Sequence, residues 1–147
     1  MTALPTSSLL NVVDASVAIK WLTAESGHQR ARELLKSYVW GSVELIAPSV
    51  LKLEVASALS KQVRRRQMTT DQAKRAFVQF QSYRPQFLDH ASLAHEALDL
   101  STFHHLSLWD CLYLAQAIRY RCGLITADRQ FYRVAKQHYP FMTLLGA

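Results

Sequence analysis

The chain reads as an α/β fold with a mainly parallel sheet covered by helices on both faces. Three observations predict it. Short apolar segments rich in β-branched residues alternate with stretches of helical periodicity. The first of these segments, within Leu9 to Ser16 (Leu-Leu-Asn-Val-Val-Asp-Ala-Ser), ends in Asp14 and passes straight into a helix-like run. A later segment, Leu124-Ile125-Thr126, repeats the arrangement with Asp128. Strands joined in this way through helices are βαβ units, which build parallel sheets. An acid at the end of such a strand points into the crevice where open α/β sheets bind ligands.

Taken in order, Ala15 to Leu22 is a short helix and Gly27 to Val39 a second, with Ala31, Leu34, Leu35 and Tyr38 at helical spacing. Val43 to Ala47 is a short strand. Pro48 suits the first position of a long helix that runs to about Arg66. The terminal Arg64-Arg65-Arg66 complements that helix's dipole. Thr69 and Gln72 have capping-box spacing and open a helix that carries Ala73, Ala76, Phe77 and Phe80 on one side. Pro85 breaks the pattern, and Gln86 to Asp89 is a brief strand. A helix from about Ala91 to Thr102 leads to a loop holding His104 and His105. Ser107 then opens a helix to about Arg121, with Gly123 as its C-terminal punctuation. After the Leu124–Thr126 strand, Arg129 to Gln137 is helical, and Phe141 to Leu145 closes an edge of the sheet.

The totals bound the function. With 147 residues, half of them apolar and 19% charged, the chain forms one domain, 1–147, and is not a disordered protein. No apolar run approaches the roughly 20 residues that span a bilayer. Met1 to Ser8 lack the basic and apolar regions of a signal peptide, so a cytoplasmic location is expected. Cys111 and Cys122 are not in a Cys-x-x-Cys arrangement and read as reduced core residues. The net charge is +6, from 17 basic and 11 acidic residues. If four acids are sequestered in one pocket, seven acids remain against the 17 cations, a surface suited to a polyanionic partner.

Four acids stand without cations at helical contact distance. Each has an ordinary reading beside the functional one. Asp14 and Asp128 are placed to cap the helices that follow them. Asp110 completes a Ser107-x-x-Asp110 capping box, but in a helix that is apolar nearly all round. Glu54 has only Val50, Leu51, Ser57 and Ala58 as helical neighbours, as a residue at a core boundary would. Two acids at strand ends and two near helix starts fall on one edge of a parallel sheet. Clustered carboxylates with no counter-cation are tolerable only when protonated or metal-bound. Oxygen-only ligands suit Mg²⁺ or Mn²⁺. An acidic pocket in a basic surface fits metal-assisted cleavage of a phosphodiester backbone.

At these residues the sequence resembles the PIN-domain family, and within it the VapC-type toxin ribonucleases of type II toxin–antitoxin systems. The matching stretches are Val12 to Trp21, Ala47-Pro48-Ser49 through Glu54-Val55-Ala56, Leu108 to Ala115, and Leu124 to Asp128. The resemblance implies a three-layer α/β/α sandwich with a central, mainly parallel sheet. It implies Mg²⁺- or Mn²⁺-dependent cleavage of RNA, a homodimer, and a cognate antitoxin that blocks the site. Carried over by position, the catalytic and metal-binding quartet is Asp14, Glu54, Asp110 and Asp128, with Ser16 and Thr126 as supporting hydroxyls. Trp109 and Cys111 stand where Tyr and Ala are more usual, a change expected to touch packing and not the acids. The stretch from Met68 to Asp99 matches no motif and is expected to help choose the RNA target.

Two rivals remain. A phosphatase using Asp14 as nucleophile would want a second Asp two residues on, where this chain has Ser16. A catalytically weak PIN-type module that only binds RNA or a partner would be expected to lose acids, and all four are present. Arg64, Arg65 and Arg66 are possible RNA contacts, although a solvated helix end is the plainer reading. Trp21, Trp40, Phe77 and Phe80 are expected in the core or a dimer interface.

Overall fold

The computed structural model describes residues 9–24, 26–83 and 85–146; Met1 to Ser8, on which the reading of the N-terminus rests, lie outside them. Five strands form one sheet in the order β3-β2-β1-β4-β5, every neighbouring pair parallel. They are β1 (Leu10–Val13), β2 (Glu44–Pro48), β3 (Gln86–Leu88), β4 (Gly123–Thr126) and β5 (Met142–Leu144). The helices are α1 (Ala15–Leu22), α2 (His28–Val39), α3 (Val50–Arg64), α4 (Thr70–Tyr83), α5 (Ala94–His104), α6 (Leu108–Tyr120) and α7 (Arg129–Lys136). None of those described is long and apolar enough to cross a membrane.

The strand order explains the layers. From β1 the chain steps to β2 and β3 on one side, then returns past β1 to β4 and β5 on the other. Right-handed crossovers therefore place α1 to α4 on one face and α5 to α7 on the opposite face. The contacts agree: α1 packs on α2 and α3, α3 on α4, and α5 on α6, while α6 lies across β1, β2 and β4. The reversal makes the carboxyl ends of β1 and β4 a topological switch point, where helices leave in opposite directions and a crevice opens.

The core is the strands' β-branched residues, Val12, Val13, Ile46 and Ile125, closed by Val17, Trp21, Leu51, Val55, Phe80, Leu114 and Phe131. Trp21 sits edge-on to Tyr83. Both cysteines are buried and free. Thr69 and Gln72 form the reciprocal capping box that opens α4.

Several boundaries differ from expectation, each for a tertiary reason. Pro48 is the last residue of β2 and not the start of a helix. It lies in register with Leu88, and the Ser49 amide bonds to the Leu88 carbonyl, so the sheet claims it. The helix that follows stops at Arg64, and Arg66 turns left-handed with φ 60°. Gly123 does not punctuate α6; Arg121 caps it with φ 52°. Gly123 begins β4, and a Cβ there would fall 2.1 Å from Asn11 Oδ1, so the glycine serves a close approach of β1 and β4. The helix expected from Ala91 is a 3₁₀ turn, His90–Leu93, followed by α5. His104 belongs to α5 and its Nε2 bonds to Tyr139 Oη at 2.8 Å. Trp40 is 77% exposed and is not a core residue.

Candidate active site

The register of the central strands builds the site. Val13 pairs with Ile125, and the Asp14 amide bonds to the Ile125 carbonyl at 3.3 Å, so Asp14 stands level with Thr126. Asp14 is the N-cap of α1, but its bond from the Val17 amide is long, 3.4 Å. Its carboxylate is held chiefly by two hydroxyls. Ser16 Oγ donates to Oδ1 and Thr126 Oγ1 to Oδ2, each at 2.5 Å. Both hydroxyls are oriented from behind by the β4–α7 turn. The Ala127 amide donates to Ser16 Oγ at 2.8 Å, and the Asp128 amide to Thr126 Oγ1 at 3.1 Å. Two backbone amides thus act through two hydroxyls on the two oxygens of one carboxylate.

Asp14 is 4% exposed. Burial pushes its carboxyl up to about 7; the Ser16 and Thr126 hydroxyls pull the other way, and the charge of Asp110 pushes it up further. Asp110 lies in the first turn of α6, whose N-cap Ser107 accepts the Asp110 amide at 3.1 Å. Half-buried, it is raised to about 6, first by burial and then by repulsion from Asp128 and Glu54, against the lowering contact with Ser107. Glu54, in the second turn of α3, is also raised by burial. Asp110 therefore feels Asp14, Glu54 and Asp128 together, so the fold brings all four acids into one field. The ion pairs among the described residues are His95–Asp99 and Arg119–Glu96, and neither involves these acids.

Tyr113 is the participant that sequence reasoning passes over. Its hydroxyl donates to the Glu54 carboxylate across the space between α6 and α3. Burial and the neighbouring Glu54 charge hold the phenol strongly protonated, and Asp14 and Asp110 act on it in the same direction. The available signal is spacing: Tyr113 follows Asp110 by three residues and shares its helix face.

Asp128 also caps its helix, and does so fully: Oδ1 accepts the Gln130 amide at 2.9 Å and the Phe131 amide at 3.1 Å. The three arginines stand apart from the acids. Arg64 is ten residues beyond Glu54 on α3, about 15 Å along the axis at 1.5 Å per residue, and all three are exposed. Arg64 borders a groove of about 570 Å³ between α3 and α4, walled by Leu59, Val63, Ala73 and Phe77.

The pattern of the PIN domain matches residues 12–137, six-sevenths of the chain, from the middle of β1 to just past α7. The chain belongs to the PIN-domain family. PIN domains are generally nucleases. Solved structures similar to this PIN domain include a toxin–antitoxin complex from Klebsiella pneumoniae (TM-score 0.66, 18% identity, covering 92% of this chain and 98% of that one). PAE2754 from Pyrobaculum aerophilum superimposes with TM-score 0.66 at 20% identity, over 86% of each chain. VapBC2 from Rickettsia felis, bound to a DNA fragment from its promoter, gives 0.62 at 17%, over 92% of this chain and 96% of that one. No curated protein matches the sequence. At these identities the likeness is one of fold, and it agrees with the α/β/α layering described above.

The residues of this PIN domain suit a divalent metal by their chemistry. The donors are carboxylate oxygens, they lack cations, and burial holds two of them near neutral pKa values, as carboxylates poised for an absent positive charge would be. Among the described residues no group of three His, Cys, Asp or Glu side chains is set to hold an ion by itself. Bonds to Ser16, Thr126 and Tyr113 occupy oxygens of Asp14 and Glu54 instead.

Proposed function

We propose that this chain is a metal-dependent endoribonuclease, the toxin of a toxin–antitoxin pair. One observation carries the reading: four carboxylates, unpaired with any described cation, share one field at the switch point of a parallel sheet. A structure of this kind is costly to fold unless a cation or a proton offsets it. Asp14, Glu54 and Asp110 would hold Mg²⁺ or Mn²⁺, and Asp128 would complete the set. When bound, the ion supplies the positive charge that draws in a phosphate and makes water a nucleophile near neutral pH.

The chain's own residues have definable parts in this reading. Ser16 and Thr126 fix the plane of the Asp14 carboxylate, so its oxygens present one geometry to whatever binds. Tyr113 holds Glu54 toward α6 in the same manner. Attack of water on phosphorus, with the bond to the 3′ oxygen breaking, leaves a 5′-phosphate and a 3′-hydroxyl. The excess of basic residues elsewhere attracts the RNA backbone. A cognate antitoxin as partner is supported by the toxin–antitoxin complexes among the structures of the same fold. A homodimer and a cytoplasmic location complete the proposal.

Incubation of the chain with single-stranded RNA and Mn²⁺, with and without chelator, tests it. Cleavage that chelator stops and that falls at least about a hundredfold in a folded Asp14→Asn variant is the expected result. RNA that is bound and never cut would favour the reading of a catalytically weak RNA-binding module.

A further inference from the structure

The first turn of α6 breaks the rule that the rest of the helix obeys. Every residue from Cys111 to Ala117 is buried, yet Trp109 is 53% exposed and its neighbour Leu108 is exposed as well. Neither belongs to the buried core. Trp109 has no ring contact and no cation over its face among the described residues, in contrast to Trp21, which meets Tyr83, and Trp40, which lies under Lys36. The largest apolar side chain in the alphabet is thus left half in water. It also directly precedes Asp110, the acid that feels the other three. Exposed Arg129 directly follows Asp128 and forms no ion pair among the described residues. An exposed indole and an exposed guanidinium thus each adjoin, in the chain, an acid of the cluster.

We propose that Trp109 is a stacking platform for a nucleobase adjoining the phosphate that is cut, and that it makes the site select unpaired strands. This rests on the ribonuclease reading of the same site. A flat indole accepts any base whose face is free, and a duplex hides those faces. The choice of a nucleobase over a protein side chain follows from charge. With the four site acids set aside, seven acids remain against 17 basic residues, so the chain as a whole draws a polyanion. Exposed Arg129, next to Asp128, offers a phosphate contact.

The experiment uses the full chain carrying Asp14→Asn and Trp40→Phe with Mg²⁺ present. Cutting is then suppressed and Trp109 is the remaining exposed indole, since Trp21 is buried. Titration with a mixed-sequence single-stranded oligoribonucleotide should quench the emission saturably, and the matched duplex should leave it nearly unchanged. Adding Trp109→Ala should weaken single-strand binding about tenfold, and Trp109→Phe should restore most of it. The slope of affinity against salt should stay the same in both, because stacking releases no counterions. Unchanged emission on binding, absence of binding, or equal affinity in the Trp109→Ala protein overturns the proposal and leaves the indole to a protein partner. The two readings fail separately. RNA cut by the parent but bound equally without Trp109 removes only the platform; binding through Trp109 by a parent that never cuts removes only the ribonuclease.

Discussion

Asp14 and Asp128 occupy the same local pattern and end in opposite conditions. Each follows a short buried strand, and each is the N-cap of the next helix. Asp128 spends its Oδ1 on two amides of α7, at 2.9 and 3.1 Å, and remains half-buried. Asp14 makes one long capping bond and gives its oxygens to two hydroxyls, in a nearly closed setting that raises its carboxyl to about 7. The difference comes from position in the sheet. β1 is the central strand, covered on both faces, whereas β4 lies one step toward the edge. One acid is a cap that also faces the site; the other is held for the site and caps poorly.

The largest expected effect of that difference is on stability without metal. The folded carboxyl of Asp14 titrates above its unfolded value, so the folded state holds the proton more tightly. Its contribution is present below about pH 4 and is lost as pH rises to about 7. Asp14→Asn removes this loss, which is on the order of 4 kcal/mol at neutral pH. In chelator at pH 7.5 the variant should melt on the order of 10 °C above the parent, and the gap should shrink to a few degrees at pH 4.5. Added Mg²⁺ should stabilise the parent, by about 2.7 kcal/mol at a hundredfold excess over its dissociation constant, and the variant much less. A variant that melts lower than the parent in chelator would put Asp14 among the ordinary caps.

The converse test is smaller. Asp128→Ala should lower the melting temperature by about 2–4 °C, because it frees two amides at a cost near 1 kcal/mol. Asp128→Asn keeps the cap and should melt with the parent while losing turnover, since only the charge is gone. Equal turnover in Asp128→Asn would make the residue a cap alone.

How far the sequence reaches is clear from these two acids and from what surrounds them. The strands were legible because β-branched runs end at Asp14 and Thr126, and the alternation with helices implied a parallel sheet. That Asp110 feels the charge of Asp14, Glu54 and Asp128 was legible only as an argument from strand ends. Tyr113 was not legible as the partner of Glu54, because the bond joins residues 59 apart through the packing of α3 on the far face of the sheet edge from α6. Pro48 misled because proline suits both a strand end and a helix start; its register with Leu88 decides, and that is a tertiary fact. Trp109 misled for a related reason. An apolar helix reads as buried throughout, whereas the sheet beneath covers α6 only from Cys111 onward.

The smallest effect concerns the arginines. Replacing Arg64, Arg65 and Arg66 together by Ser should flatten the salt dependence of RNA binding, by less than the roughly 0.9 per contact expected if all three touched phosphates. Turnover at saturating RNA should not change, since Arg64 stands about 15 Å along α3 from Glu54. An unchanged slope would return the triplet to a solvated helix end.

The bond from Thr126 to Asp14 joins residues 112 apart, and Ser16 is fixed by an amide 111 residues away. Closing so long a loop loses chain entropy before any contact forms, so this part of the molecule is assembled late. Asp110, Thr126 and Asp128 all lie in the last third of the chain. A ribosome therefore builds most of this protein before its carboxylates can meet: a nascent chain that stops after α5 carries Asp14, Ser16 and Glu54 without Asp110, Tyr113, Thr126 or Asp128. Synthesis itself withholds the assembled carboxylate cluster from the growing polypeptide until the final strands are in place.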